Sequence, residues 1–149
     1  GCVALVHGTS RDDKCWPEPY WIELATRLTA QGFTVGLPHG GALELARSER
    51  ITQAVGASAQ VWPRMDLGQL TDRLAACTGV IGVDSGLSHI AVALALAHVQ
   101  IYNFDTAWRT GPLAPGPGQP QARQRSVFAQ PTPSIDAVWQ AWEQVAPPP

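Results

Sequence analysis

Short apolar runs alternating with stretches of helical period constrain this chain more than any other feature. Cys2-Val-Ala-Leu-Val-His7 is nearly continuous in apolar side chains and stops at Gly8-Thr9-Ser10, as a buried parallel strand entering a loop does. From Pro19 to Gln31 the residues Trp21, Ile22, Leu24, Ala25 and Leu28 recur at helical spacing, and Gly32 is placed to stop the helix. The unit then repeats. Phe33–Leu37 predicts a second strand, Pro38–Gly41 a turn and Ala42–Val55 a helix, while Gln60–Trp62 makes a weaker third strand. Asp66 and Gln69 form a capping box that opens a helix running through Ala76.

The clearest unit is the β-branched run Gly79-Val-Ile-Gly-Val83, which ends in Asp84-Ser85-Gly86 and leads into apolar helix formers over Leu87–Ala97. Val99–Tyr102 predicts a fifth strand, Asp105–Gln124 a long loop rich in proline and glycine, and Ser126–Ala129 a last strand. Ser134 is the expected N-cap of a closing helix that carries Val138, Trp139, Trp142 and Val145. Strands that alternate with helices define an α/β class, a Rossmann-like and mainly parallel sheet flanked by helices on both faces, because parallel neighbours need crossover connections. Ligands of such folds sit at the carboxyl ends of the strands.

With 149 residues, 45% of them hydrophobic, the chain has the size and apolar content of one domain. A net charge of -2 supplies no broad basic field, which argues against a nucleic-acid track. Cys2, Cys15 and Cys77 lie far apart without metal-ligand spacing, so neither a disulfide framework nor a zinc site is expected, and the odd number suits a reducing cytoplasm. No apolar run approaches the roughly 20 residues that span a bilayer, and no secretory signal opens the chain. The start at Gly1, directly before a strand, reads as a segment of a longer protein.

Two polar constellations fall where a ligand is expected. The first, His7-Gly-Thr-Ser-Arg-Asp-Asp-Lys-Cys-Trp-Pro-Glu18, follows the first strand: Thr9 and Ser10 offer hydroxyls, the loop offers amides, and Lys14 offers a mobile cation, a set suited to a diphosphate. It lacks the Walker A and GxGxxG patterns. Its plainer reading is a solvated loop in which Arg11, Asp12, Asp13 and Lys14 pair with one another. The second, Asp84-Ser-Gly-Leu-Ser-His89, puts a helix N-terminus with free amides beside Ser85, Gly86 and His89. A carboxylate repels a diphosphate, so Asp84 reads as a helix cap or as an acceptor for a sugar hydroxyl or backbone amides; taken alone, the motif reads more simply as an ordinary Asp/Ser N-cap. A Ser85/His89/Asp84 hydrolase is disfavoured, because Val83-Asp-Ser-Gly-Leu87 lacks the first glycine of a nucleophile elbow.

These two motifs, with Trp21-Ile-Glu-Leu24, Leu37-Pro-His-Gly40, Glu44 and Pro63-Arg-Met-Asp-Leu67 between and beside them, resemble the lipopolysaccharide heptosyltransferases, the ADP-heptose glycosyltransferases of family 9. The likeness is greatest to the type that adds the first heptose to inner-core Kdo, and it runs from about Val3 to Tyr102. It implies a GT-B enzyme of two Rossmann-like halves, of which this chain, over residues 1–149, is the carboxy-terminal donor-binding half, without the amino-terminal acceptor half and its general base. The family's tyrosine-glycine pair stands here as Tyr102-Asn103.

Carried over residue by residue, the resemblance implies that Thr9, Ser10 and Lys14 hold the diphosphate together with Ser85 and Gly86. Asp84 and His89 would face the heptose and phosphates, Glu44 the ribose hydroxyls and Met65 the adenine. Lys14 and Asp84 are the implied catalytic residues. The implied reaction is a metal-independent, inverting transfer from ADP-L-glycero-D-manno-heptose, with no cofactor, to Kdo-lipid A, in the cytoplasm or at the cytoplasmic face of the inner membrane. The fragment alone is expected to be inactive. Two other readings stay open: a related glycosyltransferase that uses another nucleotide sugar, and a non-catalytic nucleotide-binding or interaction module of flavodoxin-like shape.

Overall fold

The computed structural model describes residues 1–9, 14–103 and 124–149. Ser10 and the loop residues 105–123, which figure in the expectations above, lie outside the described residues, as do Arg11, Asp12 and Asp13.

The described strands are β1 (Cys2–Val6), β2 (Thr34–Leu37), β3 (Ala59–Val61), β4 (Gly79–Val83), β5 (Ala97–Tyr102) and β6 (Gln124–Phe128). They form one sheet in the order β3-β2-β1-β4-β5-β6, and every neighbouring pair is parallel. This is the doubly wound arrangement. Residues of β1 alternate between two hydrophobic clusters: Val3 and Leu5 belong to the larger one, Ala4 and Val6 to the smaller. That alternation is why the strand sequence reads as continuously apolar, since both of its faces are covered.

The helices are α1 (Glu18–Ala30), α2 (Ala42–Val55), α3 (Leu67–Ala75), α4 (Gly86–Ala93) and α5 (Ile135–Val145). Trp21, Leu24 and Leu28 of α1, Ile51 of α2, and Val138 and Trp142 of α5 pack into the larger cluster. On the opposite face Leu74 of α3 and Ala91 of α4 pack into the smaller one. The local signals work as their chemistry predicts. Asp66 and Gln69 exchange both bonds of a capping box, Ser134 accepts from Ala137 N, and Gly32 leaves α1 at φ 99°.

Three boundaries correct the sequence expectation. α4 stops at Ala93 rather than Ala97, and β5 starts at Ala97 rather than Val99. The pairing of β5 along β4, from Gly79↔Ala97 to Val83↔Ile101, takes apolar residues whose helix propensity is the weaker force. Gln124 is the first residue of β6, not the end of a loop. Its side chain is held between His98 Nδ1 at 2.9 Å and Leu96 O at 2.8 Å.

Candidate functional site

β1 lies between β2 and β4 in the sheet. The chain leaving β1 turns into a helix of the larger cluster, and the chain leaving β4 turns into a helix of the smaller one. Their first residues therefore diverge above the carboxyl ends of the strands and leave a crevice at the switch point. Both polar motifs open into it.

Asp84 is the hub of this crevice. Its side chain is only 6% exposed, and Lys14 Nζ donates to Oδ2 at 2.7 Å. His89 Nε2 stands 3.1 Å from Oδ1, and Gln100 Nε2 reaches the same oxygen at 3.5 Å from β5. The backbone joins in as well, because Thr9 Oγ1 donates to Asp84 O at 3.1 Å. Lys14 is thus engaged across the sheet, which departs from the plainer reading of a loop whose charges pair only among themselves.

The cap of α4 decides between the two residues of the Asp/Ser pair. Ser85, not Asp84, is the N-cap, with its side chain accepting from Ser88 N. Ser88 Oγ in turn donates to Val83 O at 2.6 Å and fastens the turn to β4. Asp84 is left free to hold Lys14 and His89. Ser85 is spent on the cap and His89 on the carboxylate, so no nucleophile-base pair forms at this turn.

Beside the hub lies a cavity of about 630 Å³, lined among others by Gly8, Thr9, Glu44, Ser85 and Gly86. The first-turn amides of α4 have no acceptor within the helix and carry the positive end of its dipole. A Cβ added at Gly86 would meet nothing within 4 Å, so a ligand can come close to the backbone there. Gly8 has the opposite surroundings: a Cβ would fall 1.8 Å from Glu44 Oε1, because the Glu44 side chain lies across the glycine. Leu67 and Leu70 supply apolar wall. Met65 is half-buried against the smaller core cluster, as are Leu70 and Leu87 of the cavity wall.

The loop is fixed at its far end by residues that sequence reasoning did not single out. Trp16 is buried, its Nε1 donates to Pro133 O at 2.9 Å, and its ring meets Trp21 edge-on at 4.9 Å. Asn103 Nδ2 donates to Cys15 O at 2.9 Å, while Thr132 Oγ1 donates to Asn103 Oδ1 at 2.6 Å. Lys14 therefore precedes a residue tied to the end of β5. The only sequence signal for this was the unusual asparagine after Tyr102.

At the root of the same loop His7 is fully buried, with Nε2 2.7 Å from Ser48 Oγ of α2. Burial first, and then the nearby Arg47 guanidinium, push its pKa down to about 4. Arg47 Nη1 donates to His7 O at 3.2 Å, so two contacts pin α2 to the end of β1 one turn after Glu44. Glu18 receives Arg50 through three short contacts, the shortest 2.8 Å, and that ion pair ties α1 to α2. Among the described residues no three His, Cys, Asp or Glu side chains gather to hold a metal ion, and no helix is long and apolar enough to cross a membrane.

Fold and site together define a doubly wound α/β domain with a polar crevice at its switch point. Residues 1–133 match glycosyltransferase family 9 (heptosyltransferase), and the chain belongs to that family. Lipopolysaccharide heptosyltransferase 1 of Pseudomonas aeruginosa is 36% identical over 114 residues, which cover 76% of this chain and 30% of that protein. The Escherichia coli K12 protein of the same name is 37% identical over 114 residues, 76% of this chain and 33% of its own length. The chain thus spans about a third of the length of the curated relatives it matches. Among solved structures, E. coli heptosyltransferase WaaC with ADP superimposes with a TM-score of 0.84 at 30% identity, over 97% of this chain and 44% of the other. A family 9 glycosyl transferase from Veillonella parvula gives a TM-score of 0.82 at 18% identity, a likeness of fold alone.

Proposed function

We propose that this chain, residues 1–149, is the donor-binding, carboxy-terminal half of a heptosyltransferase, and that it holds ADP-heptose for transfer to Kdo of the lipopolysaccharide inner core. The observation that carries the reading is the meeting of the β1 and β4 loops at Asp84, through Thr9 and Lys14, on the rim of the 630 Å³ cavity. The E. coli relative solved with ADP has the same fold, and a related structure carries ADP-2-deoxy-2-fluoro heptose.

In this reading the diphosphate lies between Thr9, Ser10 and Lys14 on one side and the Ser85-Gly86 turn on the other. Lys14 and the α4 amides offset the charge that grows on the departing ADP, which makes a divalent cation unnecessary. Without donor, Asp84 neutralises Lys14 and stores it at the site. When phosphate takes the ammonium, the Asp84 carboxylate accepts from a heptose hydroxyl, with His89, 47% exposed, beside it. Glu44 receives the ribose hydroxyls and Met65 borders the adenine. The acceptor hydroxyl is activated by an amino-terminal half that is not present here, at the cytoplasmic face of the inner membrane, so the chain alone does not turn over.

Calorimetric titration of the chain with ADP, UDP and GDP tests the proposal. Preference for ADP supports it, and preference for UDP or GDP assigns the site to another nucleotide sugar. Equal, weak binding of all three and of inorganic phosphate makes the chain a non-catalytic module.

A further inference from the structure

A second cavity, of about 330 Å³, opens at the other end of the sheet and shares no lining residue with the first. Cys2, Cys77, Arg73, Thr34 and Trp62 are among its lining residues. The two cysteines are 75 positions apart, and their spacing predicts no link; the fold brings them together through the pairing of β1 with β4. Val3 lies opposite Gly79, and Thr78 N donates to Cys2 O at 2.8 Å, so the residue next to Cys77 is bonded directly to Cys2. Cys77 Sγ is 3.4 Å from Arg73 O. Arg73 lies over the Trp62 ring, its Cζ 4.7 Å from the centroid, which keeps a guanidinium in the same cavity.

We propose that Cys2 and Cys77 form a thiol pair that a peroxide oxidises to an intramolecular disulfide, with Cys2 as the attacking sulfur and Cys77 as the resolving one. The residues divide these roles by environment. Cys2 is half-buried and lines the open cavity, and the neighbouring Cys77 thiol, followed by weaker help from Thr34 and Arg73, lowers its pKa to about 6 although burial opposes this. Cys77 is buried, and its proximity to Cys2 and its burial raise its pKa, so it keeps its proton, which it donates to Arg73 O. Cys15 lines a different cavity, with Thr9, Glu44 and Arg47, and has no cysteine beside it there.

The chemistry balances in two steps. The Cys2 thiolate attacks one peroxide oxygen, the O–O bond breaks, and the departing hydroxide takes a proton to become water, leaving a sulfenic acid. The Cys77 sulfur then attacks the Cys2 sulfur, the S–O bond breaks, and the hydroxyl leaves as a second water with the Cys77 proton. Two thiols are oxidised by two electrons and one peroxide is reduced. The new bond ties the end of α3 to the start of β1.

Exposure of the reduced 149-residue chain to hydrogen peroxide, followed by alkylation, proteolysis and mass spectrometry, reads the outcome. The expected product is a peptide pair linked through Cys2 and Cys77, two hydrogens lighter than the sum, while Cys15 is still alkylated. Cys77→Ser should stop the reaction at a Cys2 sulfenic acid that dimedone traps, and Cys2→Ser should leave Cys77 reduced. The proposal is overturned by oxidation at Cys15 with Cys2 and Cys77 still alkylated, or by disulfides that join only separate chains.

Discussion

Lys14 and Asp84 are 70 positions apart in the sequence, yet Lys14 Nζ donates to Asp84 Oδ2 at 2.7 Å and closes the crevice between the first and fourth strands. The pair is largely withdrawn from solvent, which makes it more than a surface ion pair. It holds the Lys14 ammonium at the mouth of the crevice, where the proposed diphosphate would meet it.

Replacing Lys14 removes the charge-assisted bond proposed for the diphosphate. Lys14→Ala should weaken ADP binding by about 1.5 to 3 kcal/mol, roughly 10- to 150-fold in Kd. Calorimetry on the two proteins measures the change, and an unaltered Kd removes Lys14 from the site.

Gly8→Ala separates the ribose contact from the fold. The added methyl falls on the Glu44 carboxylate, the far end of a flexible side chain, so Glu44 swings away at little cost to the core. The variant should keep its thermal midpoint and lose discrimination between ADP and its 2′,3′-dideoxyribose analogue. Retained discrimination would show that Glu44 does not receive the ribose.

His7 sets an acid limit on stability. Its folded pKa, about 4, lies below the ordinary 6.5, so the unfolded chain takes up the proton first as pH falls. The stabilisation is present above about pH 6.5 and is lost on the way down to about pH 4, a change on the order of 3 kcal/mol. His98, buried and lowered to about 4 mainly by burial, adds to the same window. Urea unfolding of the wild type and of His7→Gln at several pH values should give a shallower acid loss for the variant; parallel curves would contradict the assignment.

Gly79 tests the packing of β4 against α5. A Cβ there would lie 2.5 Å from the Trp142 ring and 2.8 Å from Ala97 O, and the backbone oxygen cannot swing aside. Gly79→Ala should cost about 1 to 3 kcal/mol by overpacking. Urea unfolding at neutral pH checks this, and a variant as stable as the wild type would mean that the sheet yields there freely.

Much of this architecture was legible along the chain because the signals are local. A buried parallel strand announces itself by a continuous apolar run, as at Gly79–Val83, and a capping box is complete within four residues, as at Asp66 and Gln69. Pairing across the sheet is not local. Nothing near Ala97 in the sequence says that it faces Gly79, so helix propensity alone carries α4 past its true end at Ala93. The site divides in the same way. Thr9, Lys14, Asp84, Ser85 and His89 were recognisable from two compact motifs, whereas the contact of Asn103 with Cys15 and that of His7 with Ser48 depend on distant segments meeting.

Whether the β1 and β4 loops together hold a diphosphate can be read by following the backbone amides of the chain by NMR during titration with ADP. Saturable shifts are expected at Thr9, Lys14, Ser85, Gly86 and Leu87, all reduced together in Lys14→Ala. Shifts confined to one loop, or to segments away from the crevice, would contradict a shared site.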